Sequence, residues 1–323
     1  MRLDVRVPDW ARQVISDLTD MHRRPHPVDA RRVARFSLDL PDDVRFEYAF
    51  VDAEGRVRAD PERGAGGRNP WYAEVSEVRG PDYRPNPLAS PPVPARPWPL
   101  RRHRIESRAF GETRRVSVAS PPDAHGPLPV VVLHDGVAYQ RLARSADVLA
   151  ELVRQGRARP AHLAFVEPGD RLVEYAWDER HLRFVQDEVR AAVAAHHPTG
   201  AGWWAMGASL GGLAAATLAL RAPDDWLGVV AQGGAFLGTP DDRRHHGVEA
   251  SWLAERLEGG AGSHLRWVLD VGTLDWLHPI HRRVQAALAA HGADVALAER
   301  AAGHNWGCWR DGLAGALAAA LQP

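Results

Sequence analysis

The spacing of apolar positions changes period three times along the 323-residue chain. In residues 9–24, Trp10, Val14, Leu18 and Met21 recur at helical spacing with polar residues between them. The spacing predicts a short amphipathic helix, ended by Pro25 and Pro27 and docked on the rest of the chain. A membrane-surface helix fits less well, because acidic residues interrupt the polar face. From residue 31 the period falls to two. Val33 to Leu40 alternates, Phe46, Tyr48 and Phe50 alternate with Arg45, Glu47 and Ala49, and a turn at Asp52–Gly55 leads to Val57. Such runs predict antiparallel strands of a small β-sandwich, with the helix completing a domain over residues 1–78. The aromatic face is read as its core rather than as a platform for stacking a ligand. Eight prolines between 81 and 99 then forbid a helix or a central strand. Residues 79–100 are therefore an extended, semi-rigid linker.

From residue 101 strands alternate with helices. Arg104–Phe110 and Arg114–Ser120 predict an antiparallel pair, and Leu128–Leu133 is apolar enough for a fully buried strand. Helices follow at 144–155, 179–196, 277–291 and 308–321. Strands follow at 162–167, 203–208, 227–232, 265–271 and 294–300. The reading is an α/β domain over 101–323, a mostly parallel sheet with helices on both faces. Residues 234–262 lack a strong period and read as a cap segment.

Composition narrows the function. Net charge is −1 and the sequence pI is about 7.0, so neither nucleic acid nor a membrane surface is an expected partner. No apolar run is long enough to span a bilayer, and Met1–Asp9 shows no secretory h-region. Cys308 is the only cysteine, which removes internal disulfides and Cys-rich metal sites. These features place the expected location in the cytoplasm. The basic residues are all arginine; without lysine there is no Schiff base, no lysine-bound pyridoxal phosphate and no Walker A site. No cofactor and no metal is expected. His245 and His246 are adjacent, lack an acidic or cysteine constellation, and read as a solvated loop rather than metal ligands.

The candidate chemistry lies at Gly207-Ala-Ser209-Leu-Gly211, which fits G-x-S-x-G between a buried strand and a helix. The bland alternative is an ordinary β–α turn. A sharp turn exposes the serine hydroxyl, and the following helix N-terminus aims N–H groups at a developing oxyanion. A base and an orienting acid are needed in the order Ser, Asp or Glu, His. Asp275 follows the strand 265–271, and His304 follows the strand 294–300 in a Gly-His loop. Asp270 lies within its strand and suits a structural hydrogen bond. The oxyanion hole is assigned to the N–H of Leu210 and to that of Gly136 or Val137, in the loop after the first buried strand. Arg171 and Glu174 read as a structural ion pair near the site, with substrate contact as the lesser reading. Trp306 and Trp309 read as packing under the His304 loop, although Trp306 could wall an acyl pocket. Cys308 reads as a small buried apolar side chain.

Leu133-His-Asp-Gly136, the Gly207–Gly212 elbow, Gly272-Thr-Leu-Asp275 and Gly303-His304-Asn-Trp-Gly-Cys-Trp309-Arg resemble the enterochelin (enterobactin) esterase and esterase-D-type branch of the α/β-hydrolases. Arg171–Tyr175, Phe184 and Glu188 fit that pattern between the fourth strand and the elbow. The N-terminal region is similar to an early-set, Ig-like module. The resemblance implies a serine carboxylic ester hydrolase that works through an acyl-enzyme on Ser209, His304 and Asp275. It also implies a small-molecule ester substrate, which could be a catecholate siderophore, ferric or iron-free. Two alternatives stay open: an acyltransferase or esterase-D-like hydrolase on another intracellular ester, and a non-catalytic ligand-binding protein. Departures are the glycines of Gln232-Gly-Gly-Ala-Phe236, where the family often has serines, and Asn305, where it usually has Asp.

Overall fold

The computed structural model describes residues 1–28, 35–66, 69, 72–94, 96–123, 126–245 and 247–323. It forms two compact units. One holds Met1–Pro85 with Val271–His278 and Glu299–Asp311; the other holds Asn86–Asp270, Pro279–Ala298 and Gly312–Pro323.

The first unit contains two small sheets. Strands β1 (Arg2–Arg6) and β4 (Arg35–Asp39) pair antiparallel. Strands β2 (Gln13–Ser16), β3 (His26–Pro27), β5 (Arg45–Val51), β6 (Val57–Arg58) and β7 (Ser76–Arg79) form the other, with β5 between β2 and β6 and also paired to β7. Every residue of β5 is buried. Its alternation sends Phe46, Tyr48 and Phe50 into one core with Leu3, Val5, Val7 and Val14. Ala49 and Val51 enter a second core with Ile15, Met21 and Val75. The aromatic face is core, as the alternation predicts, and offers no open stacking platform.

The helix expected over 9–24 is not formed. Gln13–Ser16 pairs along β5 as a strand, and two short 3₁₀ turns, Asp17–Thr19 and Met21–Arg23, follow it. Val14 and Ile15 are successive in the chain and enter opposite cores, which only a strand permits. Leu18, an apolar position of the supposed helix face, is 48% exposed. Asp20 and Met21 both have left-handed φ, 47° and 51°, which turns the chain back. The predicted strand from Val33 begins in part outside the described residues, at Val33 and Ala34.

The second unit is built on an eight-stranded sheet. Its strands are β8 (Leu100–Ser107), β9 (Glu112–Ala119), β10 (Leu128–His134), β11 (His162–Val166), β12 (Thr199–Ala208), β13 (Gly228–Gln232), β14 (Arg266–Gly272) and β15 (Val295–Arg300). The order is β15-β14-β13-β12-β10-β11-β9-β8. The run from β11 to β14 is parallel, and β9 and β8 are antiparallel at one edge. The ends of β14 and β15 belong to the first unit. Helices α1 (Ser145–Arg154), α2 (Arg171–Glu174), α3 (Glu179–Arg183), α4 (Arg190–His196), α5 (Leu210–Arg221), α6 (Trp252–Glu258) and α7 (His278–Ala290) lie between successive strands from β10 to β15, and α8 (Trp306–Ala320) follows β15. A π-helical stretch, Phe184–Val189, joins α3 to α4, so the predicted helix over 179–196 is continuous but underwound. This is the α/β-hydrolase sheet. Ligands in such sheets bind beyond the carboxyl ends of the strands. None of the described helices is long and apolar enough to cross a membrane.

Three histidines lie near the β8 edge. His103 Nε2 and His197 Nε2 are 3.0 Å apart, and Ser120 Oγ bridges His197 Nδ1 and His162 Nδ1 at 3.0 and 2.9 Å. Burial, then the neighbouring His162 and His103, push His197 down to about 4. An unfolded histidine takes its proton near pH 6.5, whereas the folded one resists. His197 therefore costs stability as pH falls from about 6.5 towards 4. Relative to a His197→Gln variant, the wild type should lose more stability as pH falls through that window. Urea unfolding of both proteins at pH 7, 5.5 and 4.5 measures it. Parallel pH slopes would show that His197 carries no such penalty.

Candidate active site

Ser209 sits at the junction of β12 and α5 with φ 54° and ψ −123°, a conformation a serine adopts only under constraint. The constraint is visible. The Ser209 N–H donates to Gln232 O at 3.0 Å, and its carbonyl accepts from Gly212, Leu213 and Ala235 N–H at 3.0, 3.2 and 2.9 Å. A Cβ on Gly207 would lie 2.2 Å from the Gly211 carbonyl, and one on Gly212 would lie 2.9 Å from Gly234 Cα. Strand and helix can approach this closely only through glycine. A Cβ on Gly234 would meet the Phe236 ring at 2.4 Å. Leu210 opens α5, so its N–H has no acceptor within the helix.

The loop after β10 is equally constrained. His134 is buried, and its Nδ1 lies 3.1 Å from Met206 O. Burial, then His181, push His134 down to about 3, so it is neutral. Asp135 has φ 58°, and its N–H donates to the Tyr175 hydroxyl at 2.7 Å. A Cβ on Gly136 would sit 2.7 Å from the Phe165 and Val166 backbone, so this position requires glycine. The Val137 N–H donates to Glu167 Oε2 at 2.7 Å. Of the two N–H groups between which the sequence left the choice open, Val137's is thus engaged. Glu167 was missed in the sequence. The available signal was its position directly after the buried strand β11. Burial raises its pKa.

Arg171 and Glu174 are not paired with each other. Arg171 binds Asp135 with two hydrogen bonds, 2.7 and 2.8 Å, and reaches Ala208 O at 3.2 Å. Glu174 binds Arg114 with two, 2.8 and 3.2 Å, and accepts the Gly169 N–H at 2.9 Å. Burial opposes the charge on Glu174, but His181, 3.5 Å away, and the Arg114 hydrogen bonds hold it at about 2. Proximity at i and i+3 on α2 cannot compete with fork-to-carboxylate pairing by residues on other elements.

The loops after β14 and β15 meet through their backbones. Thr273 N–H donates to Arg300 O at 2.8 Å and Leu274 N–H to Ala302 O at 3.0 Å. A Cβ on Gly272 would lie 2.0 Å from Ala302 O. This approach brings His304 Nδ1 to 2.8 Å from Asp275 Oδ2. The other Asp275 oxygen accepts the Leu277 N–H at 2.9 Å, which fixes the carboxylate plane. Asp275 is 4% exposed. His304 stands edge-on to Trp309, with ring centres 5.1 Å apart, and near Trp276 at 6.1 Å. Asp270 is placed elsewhere. It accepts Gln232 Nε2 at 2.6 Å, and Gln232 in turn accepts the Tyr139 hydroxyl at 2.9 Å.

Trp306 is buried edge-to-face against Trp309, 5.1 Å between centres, and Cys308 is fully buried. In the 234–262 segment, His245 stacks on Trp177 at 5.9 Å and its Nδ1 lies 3.1 Å from Leu237 O. That ring is therefore not a loosely solvated one. His246 lies outside the described residues. Among the described residues no group of three or more His, Cys, Asp or Glu could hold a metal ion.

Residues 107–320 match the family model described as "Putative esterase". No curated protein matches the chain. Among solved structures, enterochelin esterase from Shigella flexneri is similar with a TM-score of 0.76 at 21% identity, over 100% of this chain and 92% of that one. Ferric enterobactin esterase from Salmonella typhimurium is similar with a TM-score of 0.73 at 22% identity, over 98% of this chain and 92% of that one. A ferulic acid esterase matches 68% of this chain and 96% of its own, with a TM-score of 0.58 at 16% identity.

Proposed function

The chain belongs to the esterase family and is a carboxylic ester hydrolase, and from that premise we propose that it works through an acyl-enzyme on Ser209, with His304 as base and Asp275 as the orienting acid. The observation that carries the reading is the 2.8 Å contact between His304 Nδ1 and Asp275 Oδ2, on loops that follow the last two strands. It fixes the tautomer that leaves Nε2 to accept a proton. Ser209 Oγ attacks the ester carbonyl while its proton passes to His304 Nε2. The buried Asp275 carboxylate stabilises the imidazolium. The N–H groups of Leu210 and Gly136 receive the oxyanion, the Val137 N–H being held by Glu167. Collapse of the tetrahedral intermediate returns the proton to the leaving alcohol. Water then repeats the sequence and frees the acid. A fluorophosphonate should label wild type at Ser209, and a non-catalytic protein on this fold should not label.

The substrate proposed is a siderophore-type catecholate ester, met in the cytoplasm; the lone cysteine suits a reducing compartment. Support comes from a fold match that spans the N-terminal unit as well, and from a Shigella flexneri enterobactin esterase structure obtained in the presence of enterobactin. Of the arginines that could face an anionic ester, Arg171 is neutralised by Asp135 and Arg244 by Asp242, while Arg243 is exposed. A bulky ester also offers more remote binding energy for transition-state stabilisation than a short one. Accordingly kcat/KM for a catecholate trilactone should exceed that for p-nitrophenyl acetate by at least about tenfold. Feruloyl esters complete the panel. A preference for the acetyl ester would reject the siderophore assignment and leave the esterase mechanism standing.

A further inference from the structure

The loop that carries His304 is gripped by the N-terminal sheet. Asn305 Nδ2 donates to Asp17 Oδ1 at 2.9 Å, and Arg45 Nη1 donates to Asn305 Oδ1 at 3.0 Å. The same Asn305 oxygen accepts the Cys308 N–H at 2.9 Å. Asp17 uses its second oxygen to accept the Glu47 N–H at 2.8 Å, and the Arg45 charge is met by Glu47 at 3.2 Å and by Glu77. The Arg45 N–H donates to Ala301 O at 2.8 Å. The fit leaves no room around the loop. A Cβ on Gly303 would lie 2.2 Å from Asp17 Cγ, and one on Gly307 would lie 1.1 Å from Arg45 Nη1. Asp17, Arg45 and Asn305 are all buried. Asp17 and Arg45 lie outside the 107–320 segment that matches the esterase family.

We propose that Asp17 and Arg45 of the N-terminal unit are positioning residues for the catalytic base, acting through the two ends of the Asn305 side-chain amide. The inference rests on the reading of His304 as base. The Asn305 amide donates to Asp17 at one end and accepts from the Arg45 guanidinium at the other. A carboxylate at 305 would face Asp17 oxygen to oxygen. Asp17 and Arg45 thereby hold residues 303, 305 and 307 around the imidazole. Geometry at a base matters steeply, since displacement by about 1 Å can cost about a hundredfold in rate.

The test is an exchange of partners, read as kcat and KM on p-nitrophenyl esters per site titrated with a fluorophosphonate. Asn305→Ala should lower kcat about 10- to 100-fold with KM within about twofold. Asn305→Asp should also lose kcat, because its side chain no longer carries the N–H that donates to Asp17 Oδ1. Adding Asp17→Asn to Asn305→Asp restores every hydrogen bond with donor and acceptor exchanged. That double variant should recover kcat to within a few fold of wild type. Titration per site separates slow turnover from a reduced folded fraction. Unchanged kcat in Asn305→Ala, a change confined to KM, or failure of the exchange to restore kcat would each overturn the proposal. His304→Ala is the parallel control: if it keeps its rate, the assignment of the base has failed instead.

Discussion

Replacing Ser209 with alanine should lower kcat for ester hydrolysis by about 10⁵- to 10⁶-fold, the scale on which removing an activated serine nucleophile acts in serine hydrolases. The fold should survive. The backbone contacts that hold the elbow, Ser209 N–H to Gln232 O and Ala235 N–H to Ser209 O, do not involve the hydroxyl. An alanine side chain can occupy the same turn at the same strain, because both residues carry one Cβ and both are held at φ near 54°. His304→Ala should cost nearly as much. The double variant should cost little more than either single one, since nucleophile and base act as a unit. Steady-state turnover of a p-nitrophenyl ester, with thermal melts of each variant, measures all of this. Hydrolysis by Ser209→Ala within tenfold of wild type would remove Ser209 from the mechanism.

Asp275→Asn should reduce kcat by about 10⁴-fold while leaving KM near its wild-type value, following the serine-protease precedent. Asp275 presents Oδ2 to His304 Nδ1 at 2.8 Å, and its Oδ1 is occupied by the Leu277 N–H. Because Oδ1 must go on accepting, an asparagine would turn its NH₂ towards Nδ1. The imidazole would then carry its proton on Nε2, where it cannot accept one from Ser209. Asp270→Asn should behave differently. Its carboxylate accepts from Gln232, which accepts from Tyr139, inside the sheet, so its loss should cost about 1–3 kcal/mol of stability and much less in turnover. Comparing kcat and the urea midpoint for the two variants decides between them. A large kcat loss in Asp270→Asn with near-normal Asp275→Asn would move the acid to position 270.

The two aspartates show how far local sequence reaches. A run of apolar residues marks β14, and an acid several residues past its end is where a triad acid is expected. The chain order is legible because it follows from the topology of a parallel sheet. Glu167 also follows a strand directly, yet nothing in His162–Val166 indicates that a carboxylate there will accept the Val137 N–H. That contact joins residues from different β/α connections. Arg171 and Glu174 invited pairing by proximity on one helical turn, and each instead found a bidentate partner far along the chain, Asp135 and Arg114.

By itself the amino-acid sequence determined the strands and helices of the β/α alternation and the Gly207–Gly211 elbow, because each is written in spacing over fewer than about a dozen residues. Tertiary structure alone decided that residues 13–16 form a strand. Apolar residues at helical spacing were overridden once β5 offered a ladder and a core on each face. It also decided what holds the loop of His304. Asp17 and Asn305 are 288 positions apart. Their hydrogen bond exists only because folding carries a buried acid from one end of the chain to a buried amide at the other. No local period or motif encodes a pairing at that separation, since its strength comes from the exclusion of water around both groups.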